Sequence, residues 1–314
     1  MTRAPSGAEE VLAAGALAPS AHNSQPWELR AVASDVYEVR GDPRRALPVS
    51  DPDGRAVRVA GGAALLNMRF AVRARGRRAH VHLLPDPADP WSLARLQVGG
   101  PLAPTAPERA LADAIPRRHT TRRAFLDLPV ALAARAALRR AAEAERGWLC
   151  WLDDPTQRRE VELLVAAARR AQEADPAWVA ERSAHTGCAR GALDGLTADA
   201  GGPRPPVDDP WRVDLTGGRG EPDGRESEPL ILVLGTFVDR PLAQVQAGQA
   251  LQRVLLTATV YGLAASFVAP PLEVPEHRAA LRGLLGGGLW PQAMLRVGHG
   301  VDGVPVPRRP VAGA

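Results

Sequence analysis

Lysine is absent from this chain of 314 residues, and all 39 of its basic residues are arginine. The absence excludes reactions that depend on a lysine, such as those of Schiff-base aldolases, pyridoxal enzymes, kinases and hydrolases with a phosphate-binding loop. Arginine can still bind phosphate, through a planar group that donates two parallel hydrogen bonds. A phosphate site in this protein therefore has to be built from guanidinium groups.

Cysteine and aromatic residues are also scarce. Cys150 and Cys188 have neither metal-ligand spacing nor a disulfide pattern. The 35 acidic residues, interleaved with the arginines, and the 4% of aromatic residues are atypical of a nucleic-acid-binding protein, although the calculated pI is 9.9. The longest apolar stretch, at 254–268, is too short to cross a membrane, and Glu9 and Glu10 lie where a signal peptide is basic. We therefore expect a cytoplasmic protein without metal, nucleic-acid or membrane partners.

Two stretches that lie 186 residues apart predict that the chain contains one unit twice. Residues 55–85 and 241–271 each have the pattern of an amphipathic helix that ends at a glycine and precedes a strand. At this offset Gly62, Ala64, Leu65, Gly76 and Pro85 coincide with Gly248, Ala250, Leu251, Gly262 and Pro271. Two unrelated amphipathic helices could match as well, but the shared order of elements favours a duplication.

The division of the chain follows from the same pattern. Residues 99–107 are rich in glycine and proline and predict a linker, so we expect an N-terminal half at 1–110 and a C-terminal half at 111–314. Residues 183–229 show no periodicity over an unusually long stretch. Such a stretch predicts a lid-like insertion, a binding loop or disorder.

Residues 18–27, with the sequence APSAHNSQPW, form the densest group of special residue types in the chain. Pro19 and Pro26 lack amide protons, so they end the helix predicted at 8–17 and fix a turn before the strands predicted at 27–39. The turn presents Ser20, His22 and Asn23. These residues predict either ligand contacts or a loop in which Ser or Asn caps a helix.

Residues 117–125, with the sequence RRHTTRRAF, predict a phosphate site. Each charge-assisted hydrogen bond from a guanidinium contributes about 1.5–3 kcal/mol. Arg117 and Arg118 come first, and two arrangements of hydroxyl and base can follow: Thr120 with Arg122, or Thr121 with Arg123. A solvated basic turn, with His119 in a stabilising role, is the alternative.

Both motifs resemble the nitroreductase family. The segment at 19–27 is similar to the family's flavin-contacting turn, Pro-Ser-x-x-Asn-x-Gln-Pro-Trp, and the basic segment is similar to Arg-x-Ser-x-Arg/Lys-x-Phe, which holds the FMN phosphate. Arg308, two residues before Pro310, is similar to the family's second phosphate-binding arginine. The resemblance implies that Pro19, Ser20, His22, Asn23, Arg117, Arg118, Thr120, Thr121, Arg122 and Arg308 contact FMN.

A third segment, Ser266 to Ala269, corresponds to the family loop whose backbone amides lie along the flavin edge near the reactive N5. The resemblance implies flavin contacts from Ser266, Val268 and Ala269. The glutamate and glycine usual in this loop are replaced by Ala269 and Pro270, and proline has no amide to donate.

The distribution of these motifs implies how the halves combine. Ordinary nitroreductases are homodimers that hold each FMN between subunits. This chain carries the turn only in its first half and the phosphate segment only in its second, which is similar to the Acg-like actinobacterial branch, whose single chain imitates the dimer. The resemblance implies an α+β, nitroreductase-like fold with two related halves forming an intrachain pseudo-dimer, one FMN between them, and a monomer or weak homodimer.

The implied activity is a ping-pong reaction in which NAD(P)H reduces FMN and a small electron-poor acceptor, such as a nitroaromatic or a quinone, takes the electrons. No catalytic side chain is required, because the isoalloxazine carries the redox chemistry. A protein that sequesters FMN under a closed segment 183–229 is the alternative. A tailoring dehydrogenase acting on a peptide or heterocycle is a third.

Overall fold

The first part of the chain forms a four-stranded antiparallel sheet with three α-helices. The structure, a computed structural model, describes residues 7–189, 192–215, 223–224, 229–300 and 303–311. The first elements are α1 (Gly7–Ala16), β1 (Trp27–Ala33), β2 (Val36–Gly41), α2 (Arg55–Ala74), β3 (Arg77–Leu83), β4 (Ser92–Pro101) and α3 (Ala106–Ala114). The strands lie in the order β1-β2-β4-β3.

The second half contributes another four-stranded antiparallel sheet, in the order β5-β8-β10-β9. The remaining described elements are α4 (Leu132–Glu143), β5 (Trp148–Trp151), α5 (Pro155–Ala174), α6 (Pro176–Ala184), β6 (Thr186–Cys188), β7 (Leu196–Thr197), α7 (Ala198–Gly201), β8 (Leu230–Thr236), α8 (Pro241–Val260), β9 (Ala264–Phe267), α9 (Pro270–Glu273), α10 (Pro275–Leu284) and β10 (Trp290–Gly298). Each sheet thus follows one plan, in which two strands come before a 20-residue helix and two after it.

The matching helices α2 and α8 confirm the predicted duplication. α2 and α8 start 186 residues apart, and each is followed by a glycine in the left-handed region, Gly76 at φ 72° and Gly262 at φ 67°. Only glycine adopts this conformation without strain from a side chain, so it ends both helices before the next strand. The chain is therefore an α+β protein with two related halves, an intrachain pseudo-dimer.

The halves are joined by reciprocal packing of α2 and α8. Val59 of α2 belongs to the apolar core of the second half, and Val245 of α8 belongs to the core of the first. Buried polar groups also pair across the contact, because the Gln252 amide donates to Asn67 Oδ1 at 2.7 Å. Burial of a Val or Leu side chain contributes about 1.5–3 kcal/mol, so this exchange of side chains holds the halves together.

Most predicted elements have the predicted type, including the helices predicted at 8–17 and within 55–85 and 241–271. The predicted linker at 99–107 begins too early, since β4 continues through Pro101 by pairing with β3. The division at residue 110 falls within α3, and where one half ends stays a prediction. Of the segment 183–229, residues 190–191, 216–222 and 225–228 lie outside the described part of the chain, and β6, β7 and α7 occupy part of the rest. No helix in the described ranges is long and apolar enough to span a membrane.

Candidate functional site

A cavity lies between the two halves. Its wall combines the turn after α1 and the start of α2 from the first half with the basic segment, β9 and β10 from the second. Among the predicted site residues, those that line it are Pro19, Ser20, His22, Asn23, Arg118, Thr120, Arg122, Ser266, Val268, Ala269 and Arg308. Arg117 and Thr121 do not line it. The fold therefore brings most of the predicted residues together from distant parts of the chain.

The turn at 18–26 is held in an uncommon conformation. His22, Asn23 and Gln25 have φ values of 47°, 56° and 50°, in the left-handed region that side chains other than Asn and Asp rarely occupy. The Ser20 hydroxyl accepts a hydrogen bond from the Gln25 amide at 3.0 Å and so closes the turn. Such strain persists only where the surroundings fix the backbone, as is common in ligand sites.

The basic segment runs beside the end of β9, and this pairing selects which side chains face the cavity. Thr120 forms a β-bridge with Ala265, and the Thr121 amide donates to the Ala265 carbonyl at 3.1 Å. Arg118, Thr120 and Arg122 line the cavity, whereas Arg117 is exposed and donates from Nε to the Asp113 carbonyl. Of the two arrangements open in the sequence, Thr120 with Arg122 is the one on the cavity wall.

Three guanidinium groups meet on this wall. Arg118 Nη2 and Arg308 Nη2 both donate to the Leu17 carbonyl, at 3.4 and 3.5 Å, and Arg122 Nη1 donates to the Ala200 carbonyl at 2.6 Å. Within the described residues none of the three forms an ion pair, and the Nε atoms of Arg118 and Arg308 are buried without a hydrogen-bond partner. The wall therefore carries positive charge that the described part of the protein does not neutralise.

The pKa values of these arginines reflect the uncompensated charge. Burial, together with the charges of Arg308 and Arg122, lowers the pKa of Arg118 to about 9. Burial lowers the pKa of Arg122 and of Arg308 to about 10. Buried cations without an anion are costly, and a bound anion removes that cost. The cluster thus has the electrostatic character of an anion site.

Asn23 is hydrogen-bonded to Arg308, the arginine that resembles the family's second phosphate-binding residue. Its side-chain Oδ1 accepts a hydrogen bond from Arg308, and its Nδ2 donates to the carbonyls of Pro307 at 3.0 Å and Gly195 at 3.2 Å. Both donor positions of the amide are used by these contacts, and its oxygen keeps one acceptor position. Asn23 therefore positions Arg308 and connects the turn to the residues between β6 and β7.

The loop at 266–269 leads from β9 directly into α9. The Val268 amide donates to the Met294 carbonyl at 2.9 Å, so it is paired within the protein, and Pro270 opens α9. Ala269 and Pro270 nevertheless line the cavity. Apolar side chains from α2 and α8, including Val59, Ala60 and Leu251, line it beside them. This part of the wall suits a flat apolar ring.

The segment predicted as a lid covers part of the cavity. Leu196, Trp211 and Val213 line it, and Gln25 Nε2 donates to the Leu193 carbonyl at 2.7 Å. Buried Arg212 pairs with Asp209 at 2.7 Å and with Asp223 at 2.8 Å, which anchors the following stretch. The described part of this segment is thus tied to the turn.

His22 is part of the cavity wall at its contact with α6. Its ring centroid is 6.4 Å from that of His185. Burial, then the nearby His185, and also Arg122 and Arg182, lower its pKa from 6.5 to about 4, although Glu181 acts in the opposite direction. His22 is consequently neutral at pH 7.

Sequence reasoning missed a polar group on the cavity wall, formed by Arg55, Gln172, Trp178 and Glu273. Gln172 Nε2 donates to Glu273 Oε2 at 2.7 Å, and Arg55 donates to the carbonyls of Gln292 and Leu272. Burial raises the pKa of Glu273 to about 7. No signal in the sequence marks this group, because its members lie on helices that only the fold brings together.

Comparisons with known proteins identify the family. No protein-family model matches the chain. The chain is 36% identical over 306 residues to "Putative NAD(P)H nitroreductase Rv3131" of Mycobacterium tuberculosis H37Rv, an alignment that covers 96% of this chain and 87% of that protein. It is 30% identical over 307 residues to "Putative NAD(P)H nitroreductase acg" of the same organism, covering 94% of this chain and 90% of that protein.

Solved nitroreductase structures are also similar. One, from Bacteroides fragilis with bound FMN, is 16% identical with a TM-score of 0.39, over 65% of this chain and 96% of that chain. Another, the FMN and NADPH-dependent nitroreductase NfnB from sphigopyxis sp. strain HMH, is 21% identical with a TM-score of 0.40, over 63% of this chain and 94% of that chain. On the identity and coverage of its mycobacterial relatives, the chain belongs to the nitroreductase family, in the single-chain, pseudo-dimeric branch that includes Acg.

Proposed function

We propose that this protein binds one FMN in the cavity between its halves and uses it to pass electrons from NAD(P)H to small electron-poor molecules. Its mycobacterial relatives, which are named as NAD(P)H nitroreductases, support the reaction class. The observation that carries the proposal for this chain is the cluster of Arg118, Arg122 and Arg308 on the cavity wall, for which the described residues supply no ion pair.

The residues on the cavity wall fit FMN in two respects. A phosphate dianion would give the buried guanidiniums of Arg118 and Arg308 the anion that the described residues do not supply. Thr120 adds a hydroxyl next to them. The apolar wall formed by Val59, Ala60 and Leu251 suits the isoalloxazine ring. Arg122 lies on the same wall and would add positive charge to the surroundings of the bound group.

When bound, FMN would supply the hydride chemistry, and the protein's part would be to bind, orient and shield it. Asn23 holds Arg308 in place, and the Ser20 hydroxyl keeps the turn closed. Trp211 and Leu196 from the segment over the cavity exclude water from the site. Nitroaromatics and quinones are the proposed acceptors, reduced in a ping-pong reaction that needs one open position beside the flavin.

A second function remains open for the same site, namely sequestration of FMN without turnover. The observation that favours it is the tie between the turn and the covering segment, since Asn23 donates to the Gly195 carbonyl and Gln25 to the Leu193 carbonyl. A cavity that stays closed would hold the cofactor but exclude NAD(P)H and acceptors.

The experiment that tests the proposal is anaerobic reduction of the purified protein. The protein should be yellow with the absorption of bound FMN, and excess NADPH or NADH should bleach the flavin band within seconds. Subsequent addition of a quinone should restore the band. Bound flavin that neither nucleotide bleaches over many minutes supports sequestration, and a colourless protein that takes up no added FMN would refute both functions.

A further inference from the structure

The carboxyl group of the partly buried residue Glu273 lines the cavity between the halves. Glu273 is the last residue of α9, the one-turn helix that directly follows the loop at 266–269. Its carboxyl accepts a hydrogen bond from Gln172 Nε2 at 2.7 Å and another from the Trp178 side chain. All three side chains line the cavity. Glu273 is therefore held in one orientation beside the space that a substrate would occupy.

The surroundings of Glu273 favour its protonated form. Burial raises its pKa to about 7, and the charge of Glu181 on α6 acts in the same direction. Gln172 on α5, Trp178 on α6 and the charge of Arg55 on α2 oppose the shift. On the other two elements that contact α9, Arg278 of α10 is paired with Asp239, and Gln292 of β10 donates to Thr236 and Asp239.

Other ionisable groups on this wall are less suited to give up a proton near neutral pH. The pKa of His22 is lowered to about 4, so at pH 7 His22 is neutral and lacks the acidic proton of an imidazolium. Asp51 accepts hydrogen bonds from the amides of Ala56 and Val57 and so caps α2. Arg55, Arg118, Arg122 and Arg308 have pKa values of about 9 to 10. A general acid works best when its pKa lies near the working pH.

We propose that Glu273 is the proton donor of this site and protonates the acceptor as it is reduced. The proposal rests on the proposed function, because the hydride has to come from the reduced cofactor. It adds a catalytic residue to a reaction that the cofactor could otherwise perform with protons from water. Such a residue is needed where the covering segment restricts the access of water to the cavity.

The step balances for a quinone acceptor. The quinone takes up a hydride, which brings two electrons and one proton, and becomes a hydroquinone monoanion with its negative charge on one oxygen. The O–H bond of the Glu273 carboxylic acid breaks, and a new O–H bond forms on that oxygen. Glu273 is left as a carboxylate and regains a proton from solvent once the hydroquinone has left.

The test compares two acceptors in the oxidative half-reaction of the holoprotein, with the flavin first reduced by dithionite. Benzoquinone needs a proton, whereas ferricyanide takes electrons alone. The variant Glu273→Gln should reoxidise about 100-fold more slowly with benzoquinone and at the wild-type rate with ferricyanide. The wild-type rate with benzoquinone should fall as the pH rises above 7, and that of Glu273→Gln should not. The matched control is Glu276→Gln, since Glu276 is exposed on α10.

An infrared titration provides a readout that does not depend on turnover. The carbonyl band of a protonated carboxylic acid should be present at pH 6, disappear with a midpoint near 7, and be absent from Glu273→Gln. Equal rates with benzoquinone in both proteins, equal slowing with both acceptors, or no such band would overturn the role of Glu273. If dithionite reduces the flavin but NAD(P)H does not, the proposed function is refuted. The role of Glu273 is still decided in that case, because the reoxidation rates are measured after reduction by dithionite.

Discussion

Gly62 of α2 and Gly248 of α8 face each other where the two long helices cross. A Cβ atom built on Gly62 would lie 3.0 Å from the Gly248 Cα and would overlap the Val245 carbonyl oxygen. A Cβ atom on Gly248 would lie 2.9 Å from the Gly62 Cα and would overlap the Val59 carbonyl oxygen. Gly62 and Gly248 are related by the 186-residue offset, and so are Val59 and Val245, so the contact is close to two-fold symmetric. The absence of a side chain at both glycines sets the distance between the halves.

Replacement of either glycine by alanine should therefore destabilise the protein. The new methyl group would meet backbone, which cannot rotate away, so the helices would have to separate and lose packing around Val59 and Val245. We expect a loss of about 3 kcal/mol in the free energy of unfolding, measured by urea denaturation. Gly283, a helical glycine in α10 with open space around it, is the control, and Gly283→Ala should be neutral or slightly stabilising. Equal effects of all three substitutions would contradict this explanation.

The sequence allowed prediction of the elements whose signals are local. Periodicity and terminal glycines were sufficient for the paired units that contain α2 and α8. The turn at 18–26 was predictable because two prolines leave few backbone conformations. The short elements β6, β7 and α7 have too few residues to show a period, so their interactions with the rest of the protein determine them.

Within the site, residue types were predictable but their directions were not. Arg117 and Arg118 are neighbours of the same chemistry, and the pairing of the segment with β9 determines that Arg118 faces inward. The contact of Asn23 with the cofactor stays a prediction, and its hydrogen bonds within the protein join it to Arg308, Pro307 and Gly195, which lie more than 170 residues away. Contacts at such separations leave no local pattern in the sequence.

Arg118 and Arg117 offer a matched pair for testing the phosphate site. Arg118→Met should weaken FMN binding about 10- to 100-fold, the equivalent of one lost charge-assisted contact. The cofactor-free form of the same variant should be at least as stable as the wild type, because an unpaired buried charge has been removed. Fluorescence titration of the cofactor-free protein and its thermal midpoint measure the two effects.

Arg117→Met should leave both quantities unchanged, since this side chain is exposed and donates to the Asp113 carbonyl. Undiminished affinity for FMN in Arg118→Met would contradict the assignment of the anion site. A loss of affinity in both variants would point instead to a general effect of positive charge.

Gln25 allows the closure of the site to be tested without touching the cavity wall. Its side chain donates to the Leu193 carbonyl at 2.7 Å and accepts from the Arg309 amide at 2.9 Å, so it ties the turn to the covering segment and to the C-terminal stretch. Each of these bonds contributes about 1 kcal/mol. Gln25→Ala should release FMN about tenfold faster and increase proteolysis within residues 186–197. Gln97→Ala, on the exposed side of β4, is the control. An unchanged rate of FMN release in Gln25→Ala would show that the contacts of Gln25 do not keep the site closed.

His22 should make the protein sensitive to acid. Its pKa is about 4 in the folded protein against 6.5 without burial, so the unfolded chain binds the proton more tightly. The stabilising contribution is complete above pH 6.5 and is lost as the pH falls towards 4. Between pH 7.5 and 5 the wild type should lose about 2 kcal/mol more stability than His22→Asn, a substitution that tolerates the left-handed backbone. Urea denaturation at both pH values measures the difference, and His80→Asn, on exposed β3, should retain the wild-type dependence.

The two halves differ in the connection that precedes their first strand, and this difference predicts one FMN per chain. In the first half the connection from α1 to β1 spans 17–26 and includes the turn, whereas the connection from α4 to β5 spans only 144–147. The shorter connection has no counterpart of Ser20 or Asn23, so the second half cannot close a complementary site in the same way. Flavin released from a known amount of protein should give a ratio of one. A ratio of two would require a second phosphate site and would contradict the division of the site between the halves.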